Sequence, residues 1–304
     1  MIVFISSTYE VAKNISKTMN QNYGTEFCSI EADFGNDKLT VNDIGIKSAY
    51  SHHKINDEYF QPCLTFQITN DSNFPYSENF IISHVDADTI FGIGWLCGMF
   101  DRVSTRTYNT LKDISLMIST MDNFGYHSIS KISLEKYKKE FSVILSYVSH
   151  AKKSISKVKF QKYYNCSSII IKCLHNIIKC LTHSDILNKR FNLINKGISE
   201  KENIEKMDIS TDIVHIYKKR INDFKDASHS FIIVWDISLS IYGRNHKDVS
   251  KYFPEGLNEF LNTIIPESGG HFCAAGTKRK TRISNSEFQL IIDKFKERIG
   301  VENA

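Results

Sequence analysis

Stretches of alternating or continuous apolar residues along the chain predict an α/β fold. Residues 25–34 and 62–69 alternate apolar and polar side chains, which is typical of strands, and residues 79–83 form a short apolar run. Residues 1–20 are predicted to be a strand followed by an amphipathic helix, and residues 89–100 a buried helix. This order indicates a largely parallel sheet flanked by helices, with a functional site at the strand ends.

The middle of the chain has a helical pattern. Residues 133–225 carry long lysine-rich faces and few helix breakers. We therefore predict three parts: an N-terminal domain over residues 1–150, a helical connector over 151–225 and a smaller C-terminal α/β domain over 226–304.

The C-terminal part is predicted to hold a mixed sheet. Residues 230–235 form a strong apolar strand, and residues 237–242 are expected to pair with it. Residues 255–265 and 285–299 have the periodicity of amphipathic helices.

Composition excludes several classes of protein. The net charge is +4, which is too small for a general nucleic-acid coat, and no apolar run approaches the roughly 20 residues of a membrane span. Cys166, Cys173 and Cys180 are spaced by seven, which predicts a buried apolar stripe on a helix in preference to a metal site. Free thiols favour a reducing cytoplasm, and the sequence leaves a homodimer open.

The most informative polar cluster follows the apolar run at 79–83. His84, Asp86 and Asp88 alternate, so an extended segment directs all three side chains to one side. One imidazole and two carboxylates suit Mn²⁺ or a similar divalent ion, and neighbouring carboxylates repel without a cation between them. A solvated polar loop would give the same pattern.

A second cluster adds possible ligands. His52 and His53 are adjacent, and Asp43 precedes them. Alone, this pattern is typical of an exposed polar loop. Together with the first cluster it predicts a centre of two ions, Mn²⁺ or Mg²⁺, that binds a phosphate and generates a bridging hydroxide.

A third cluster points to anion binding. Gly269, Gly270 and His271 precede a run of small residues, and glycines allow a backbone N–H to approach an anion closely. Lys278 and Arg279 begin a run of four cations in the five residues 278–282. Such a run is usually a solvated turn, but beside a glycine loop it predicts a phosphate clamp. Upstream, Ser240 and Arg244 end a strand; Arg244 is either a phosphate ligand or a surface arginine.

These clusters resemble the DHH phosphoesterase superfamily with its DHH-associated C-terminal domain. The segment 268–276 is similar to that domain's GGGH-x-x-AAG signature, with Ser268 in place of the first glycine. The segment 238–244 resembles the strand before that signature. The segment 82–88 resembles the first metal motif, a strand ending in H/D-x-D-x-D. The resemblance covers residues 79–125 and 230–300.

The resemblance implies two metal ions, usually Mn²⁺, and hydrolysis of phosphodiester or phosphoanhydride bonds in nucleotides or short oligonucleotides. It implies that His84, Asp86 and Asp88 are metal ligands and that Asp122 is the aspartate of the second motif. It also implies that His271 and Arg244 hold the substrate.

The chain departs from the family in one respect. The Asp-His-His triplet that names the family does not follow residue 122, and the adjacent pair His52 and His53 comes earlier, after Ser51. Either the N-terminal motifs are permuted, with His52, His53 and Asp86 at the catalytic centre, or the metal site is degraded.

Three functions follow as alternatives. The first is a Mn²⁺-dependent phosphoesterase acting on a nucleotide or short oligonucleotide, without a membrane or a stably bound long nucleic acid as partner. The second is a nucleotide-binding protein of the same fold without turnover. The third is a single-strand exonuclease, for which Tyr163, Tyr164 and the lysines of 152–162 would supply a basic groove with stacking platforms. A solvated helix face would give the same pattern.

Overall fold

The structure is a computed structural model, and it divides into two compact units. Unit 1 contains Met1–Ser119 and Ile132–Ser199, and unit 2 contains Thr120–Lys131 and Glu200–Ala304. The residues described are 1–34, 37–51, 76–124, 128–158, 162–199, 213–218, 229–235, 238–277 and 282–300. The predicted strand over 62–69 lies outside them.

Unit 1 is built on a five-stranded sheet in the order β5-β2-β6-β1-β7. Its strands are β1 (Ile2–Ser6), β2 (Phe27–Ile30), β5 (Ile46–Tyr50), β6 (Asn79–Ile82) and β7 (Tyr163–Asn165). Four of them run parallel, and β7 pairs antiparallel with β1 at the edge. A separate two-stranded hairpin pairs β3 (Asp33–Phe34) with β4 (Asp37–Lys38). The predicted largely parallel sheet is confirmed.

Helix α1 (Tyr9–Tyr23) connects β1 to β2, as the sequence predicted. The Thr8 side chain accepts a hydrogen bond from the Val11 N–H and so begins the helix, and Gly24, with φ of 64°, ends it. Ala12 is fully buried in a core with Phe27, Ile46 and Ile81 of the sheet. This packing fixes the start of α1 close to the end of β1.

Helix α2 (Ala87–Leu96) follows β6 and is buried along its whole length. The prediction of a buried helix over 89–100 is confirmed, with an earlier start. A Cβ at Gly94 would lie 2.4 Å from the Phe100 ring, so only glycine allows this close approach. The Trp95 indole donates to the Ser115 hydroxyl at 3.0 Å within the same core.

The remaining helices of unit 1 are α3 (Thr105–Phe124), α4 (Lys131–Ser156), α5 (Ser167–Thr182) and α6 (Ser184–Ser199). The last turn of α3, from Thr120, belongs to unit 2. Cys166, Cys173 and Cys180 are all buried, so the predicted apolar stripe is confirmed. Burial raises the pKa of the Cys166 and Cys173 thiols to about 12. Residues 163–199, expected in a helical connector, contribute β7, α5 and α6 to unit 1.

Unit 2 contains the smaller mixed sheet, in the order β11-β12-β10-β9-β8. Its strands are β8 (Val214–Lys218), β9 (Phe231–Trp235), β10 (Leu239–Gly243), β11 (Gly269–His271) and β12 (Ala274–Gly276). The pair β8–β9 is parallel and the other pairs are antiparallel. The prediction that helix continues to residue 225 is wrong at Val214–Lys218, because that segment extends the sheet.

The helices of unit 2 are α7 (His246–Tyr252), α8 (Leu257–Ile264) and α9 (Asn285–Ile299). The predicted helices at 255–265 and 285–299 are confirmed. Phe231, Phe253 and Phe295 pack edge to face or tilted, with ring centroids 4.9–5.5 Å apart, at the centre of the core. Within the described part of the chain, none of the helices is long and apolar enough to span a bilayer.

Helix α9 provides a test of the fold of unit 2. Ser284 and Glu287 form a capping box, in which each side chain accepts a hydrogen bond from the other residue's backbone N–H. Replacing Ser284 with Ala is expected to lower the free energy of unfolding by about 1 kcal/mol, measured by urea denaturation. Ser286 lies in the same turn but is not the N-cap residue, so Ser286→Ala should change the free energy of unfolding by less than about 0.5 kcal/mol. Equal effects would contradict the capping role.

Candidate functional site

Polar side chains follow three neighbouring parallel strands of unit 1. Thr8 follows β1, Glu31 follows β2 and Ser83 follows β6. Because the carboxyl ends of parallel strands lie at one edge of a sheet, these residues share that edge. The Ser83 hydroxyl donates a short hydrogen bond to the Glu31 carbonyl, which joins the ends of β6 and β2 directly.

His84 and Asp86 form an ion pair at this edge. The His84 Nε2 lies 2.9 Å from an Asp86 oxygen, and its Nδ1 lies 2.9 Å from the Ser83 hydroxyl. The other Asp86 oxygen accepts a hydrogen bond from the Thr89 N–H at 2.9 Å and so caps helix α2. The structure therefore brings together two of the predicted metal ligands, and each has a defined orientation.

The pair shifts the pKa values of both partners. Burial by itself lowers the pKa of His84, but the charge and hydrogen bond of Asp86 and the charge of Glu31 raise it to about 9. Burial raises the pKa of Asp86, but the charge and hydrogen bond of His84 and the Thr89 N–H outweigh it, so this pKa lies well below its usual range. At neutral pH the pair is therefore an imidazolium and a carboxylate.

Asp88, the third predicted ligand of this cluster, is almost completely buried. Its residue surface is 2% exposed, and it lies in the first turn of α2. The positive end of the helix dipole favours a carboxylate there. Asp86 and Asp88 therefore concentrate negative charge at the start of one helix.

Sequence analysis missed Glu31. Its residue surface is 1% exposed, and its φ of 47° is left-handed, which is uncommon for a residue other than glycine. Its carboxylate is close enough to raise the pKa of His84. A strained, buried carboxylate beside the pair is a candidate fourth ligand. The only signal in the sequence is its place at the end of an apolar strand.

A cleft of about 580 Å³ opens beside His84. Its lining comes from the end of β1, the start of α1, the β3–β4 hairpin and the end of β6. The lining residues are Ser6, Ser7, Thr8, Tyr9, Glu10, Asp33, Phe34, Asp37, Ser83 and His84. His84 therefore adjoins a space large enough for a small molecule.

Asp43 contacts residues outside the His84, Asp86 and Asp88 cluster. One of its oxygens accepts from the Tyr9 hydroxyl at 2.9 Å and lies 3.6 Å from the Lys13 ammonium. The other accepts from the Thr40 N–H at 2.9 Å. These contacts hold the loop before β5 against α1, and they make Asp43 a structural residue.

The other predicted ligands are not brought into this cluster. Asp122 belongs to unit 2, where it lies 4.0 Å from His271 Nε2. His52 and His53 lie outside the residues described. Within the described ranges, no group of three or more His, Cys, Asp or Glu side chains is arranged to hold a metal ion.

In unit 2 the glycine loop forms the antiparallel hairpin β11–β12. Gly270 has φ of 140°, and a Cβ there would lie 2.1 Å from the Ala274 carbonyl oxygen. A Cβ at Gly269 would have no atom within 4 Å. Gly270 is therefore required by the hairpin itself, whereas Gly269 leaves open space above an edge strand.

Three of the predicted substrate ligands of unit 2, namely Ser240, Arg244 and His271, lie on this hairpin or on the adjoining strand β10 and its end. Ser240 of β10 pairs with Gly276 of β12, and the His271 side chain is 21% exposed. Arg244 follows β10 and is exposed, and its carbonyl accepts from the Ser128 hydroxyl at 3.0 Å. Lys278 and Arg279 lie outside the residues described.

Comparison with known proteins does not assign the chain to a family. No family model matches the chain, and no curated protein matches it. A crystal structure from Helicobacter pylori G27, described as an uncharacterized protein, matches with 12% identity over 96% of this chain and 88% of that one. Its TM-score is 0.18, which is too low to support an argument about fold or function.

The hairpin provides a matched pair of variants. Gly270→Ala places a side chain against backbone at a left-handed φ, so we expect the free energy of unfolding to fall by about 1–3 kcal/mol. Gly269→Ala is expected to change it by less than about 0.5 kcal/mol. Urea denaturation measures both, and equal losses would show that the hairpin has no specific need for glycine at 270.

Proposed function

We propose that the chain is a divalent-metal-dependent phosphoesterase that hydrolyses a phosphodiester or phosphoanhydride bond in a nucleotide or short oligonucleotide. The observation that carries the proposal is the His84–Asp86 pair at the carboxyl edge of a parallel sheet, beside an open cleft. Asp88 is buried in the first turn of the adjoining helix α2, and the charge of Glu31 acts on His84. Mn²⁺ fits this donor set best, with Mg²⁺ as the alternative.

The donor set itself supports a cation. Asp88 and Glu31 are buried and Asp86 is close to His84, so several carboxylates occupy one small region. In the structure, His84 is the ion-pair partner of Asp86. A metal ion binds neutral imidazole, so His84 would give up a proton and Asp86 would be released from the ion pair as the ion enters.

The residues have separate roles in the proposed reaction. His84, Asp86 and Asp88 would hold the metal, and Glu31 would be a further ligand or would orient His84. When bound, the ion lowers the pKa of water and neutralises charge on the phosphate. The Thr89 N–H keeps the Asp86 carboxylate in place at the start of α2, so the ligand is fixed before substrate binds.

Within unit 2, the β11–β12 hairpin and its neighbours supply groups that would bind an anion such as a phosphate. His271 can donate a hydrogen bond to a phosphate oxygen, and its Nε2 lies 4.0 Å from an Asp122 oxygen. The open space above Gly269 allows a ligand to approach the backbone closely. Arg244 is exposed on the adjoining strand end and suits the same role.

A binding protein without turnover is the second candidate. The His84–Asp86 pair favours it, because two ligands that satisfy each other make a stable site without metal. The two candidates differ in one observable. A phosphoesterase releases product in the presence of Mn²⁺, whereas a sequestering protein binds the same nucleotides unchanged.

Conservative variants of the ligands test the function. Asp86→Asn removes the charge but keeps the helix cap, because asparagine is an equally good N-cap. We expect Asp86→Asn to lower Mn²⁺-dependent hydrolysis of a dinucleotide panel by about two orders of magnitude or more. Asp185→Asn, an exposed carboxylate in the same unit, should leave the rate unchanged.

Circular dichroism would verify that both variants fold. Hydrolysis by Asp86→Asn at the wild-type rate would rule out the proposed centre. The absence of hydrolysis in the wild-type protein, with nucleotide binding retained, would establish the second candidate.

Glu31 has its own test. Replacing Glu31 with Gly relieves the left-handed backbone, so the free energy of unfolding should stay level or rise by up to about 1 kcal/mol. Mn²⁺ affinity, measured by titration calorimetry, should fall about ten- to a hundredfold. Glu267→Gly is the matched control, since Glu267 in unit 2 also has a left-handed φ, of 65°, but is exposed. A loss of stability with unchanged Mn²⁺ affinity would make Glu31 purely structural.

A further inference from the structure

The cleft beside His84 is lined by polar side chains that have no role in the proposed metal centre. We propose that it binds the ribose hydroxyls of the substrate, so that the protein selects ribonucleotides over 2′-deoxyribonucleotides. This inference rests on the proposed function and names the substrate class of that same site. It is argued from the lining residues, from their hydrogen bonds and from the position of the cleft.

The lining is rich in hydrogen-bond acceptors. Glu10, Asp33 and Asp37 contribute carboxylates from the start of α1 and from both strands of the β3–β4 hairpin. Lysine and arginine are absent from the lining as far as the structure describes it. Carboxylates repel a phosphate, so the phosphate of a nucleotide is not the group that belongs in this cleft.

The serine hydroxyls of the lining add further acceptors. Ser6 donates its hydroxyl proton to the Thr8 carbonyl at 3.0 Å, and Ser7 donates to the Lys162 carbonyl at 3.0 Å. Because these protons are used inside the protein, both oxygens present lone pairs. Together with the three carboxylates, these oxygens favour a ligand that donates hydrogen bonds.

Hydroxyl groups are neutral donors, and a vicinal diol matches a carboxylate well. One carboxylate accepts from two adjacent hydroxyls, which is how an acidic residue recognises ribose in dinucleotide-binding folds. Asp33 accepts from the Ser51 hydroxyl at 2.5 Å through one oxygen, and this contact fixes its carboxylate. Asp37 is exposed at the opposite strand of the hairpin.

The cleft also has apolar surface. Tyr9 and Phe34 are partly buried against the core of unit 1, and both line the cleft. Aromatic side chains beside acceptors suit a sugar, which has apolar C–H faces as well as hydroxyls. A free metal cation would need the carboxylates but not the two rings.

The cleft lies next to the proposed metal centre. Ser83 and His84 belong to its lining, and His84 pairs with Asp86 of the metal cluster. In a nucleotide, one ester oxygen separates the phosphate from the sugar. A phosphate at the metal therefore brings its adjoining sugar to the acceptor-rich lining.

The test compares matched ribo- and deoxyribodinucleotides with Mn²⁺ present. We expect kcat/KM to be about ten- to a hundredfold higher for the ribodinucleotide, which is the effect of hydrogen bonds to a charged acceptor. Asp37→Asn should reduce this preference, mainly by raising KM for the ribodinucleotide. Asp185→Asn should leave the preference intact.

The outcomes separate this inference from the proposed function. Equal kcat/KM for both substrates would overturn ribose selection and leave the phosphoesterase standing. If neither substrate is hydrolysed, the proposed phosphoesterase function is wrong, and calorimetric binding of AMP and 2′-deoxy-AMP then tests ribose selection. Tighter binding of AMP that depends on Asp37 supports the inference. Equal binding of the two nucleotides overturns it. Loss of a bound Mn²⁺ in Asp37→Asn, with the preference unchanged, would also overturn it, because the cleft would then be a cation site.

Discussion

Negative charge at the carboxyl edge of the parallel sheet is the constraint on which unit 1 depends. Asp88 and Glu31 are buried there, and Asp86 is held against His84 at 2.9 Å. Carboxylates in such a place are unfavourable unless charge and hydrogen bonds compensate them. The protonated His84, the Thr89 N–H and the start of α2 supply that compensation in the described structure.

Rigid packing around this edge keeps the carboxylates in place. Phe80, Ile81 and Ile82 of β6 are fully buried, and every residue of α2 is buried too. The strand and the helix on either side of the cluster therefore have little freedom to move apart. Glu31 retains its left-handed conformation in this setting because the Ser83 hydroxyl binds its carbonyl.

Local patterns predicted most of the fold, and they directed attention to the polar residues that follow β6. The strand at 79–83, the helix after it and the alternation of His84, Asp86 and Asp88 are all short-range features, and the sequence displays them directly. Glu31 was not predicted as a site residue, because the alternation of apolar and polar residues over 25–34 does not show where the strand ends. The contacts of Asp43 with Tyr9 and Thr40 were not predicted, because these loop contacts depend on tertiary packing. Strand β8 was missed because a short segment after a long helical pattern gives little periodicity.

A Mn²⁺ soak of crystals, followed by an anomalous difference map, tests the central claim most directly. The account predicts an anomalous peak at the end of β6, with oxygen and nitrogen atoms of His84, Asp86 and Asp88 at about 2.0–2.3 Å and the His84–Asp86 hydrogen bond broken. An unbroken hydrogen bond between His84 and Asp86 at saturating Mn²⁺, without an anomalous peak beside it, would contradict the account.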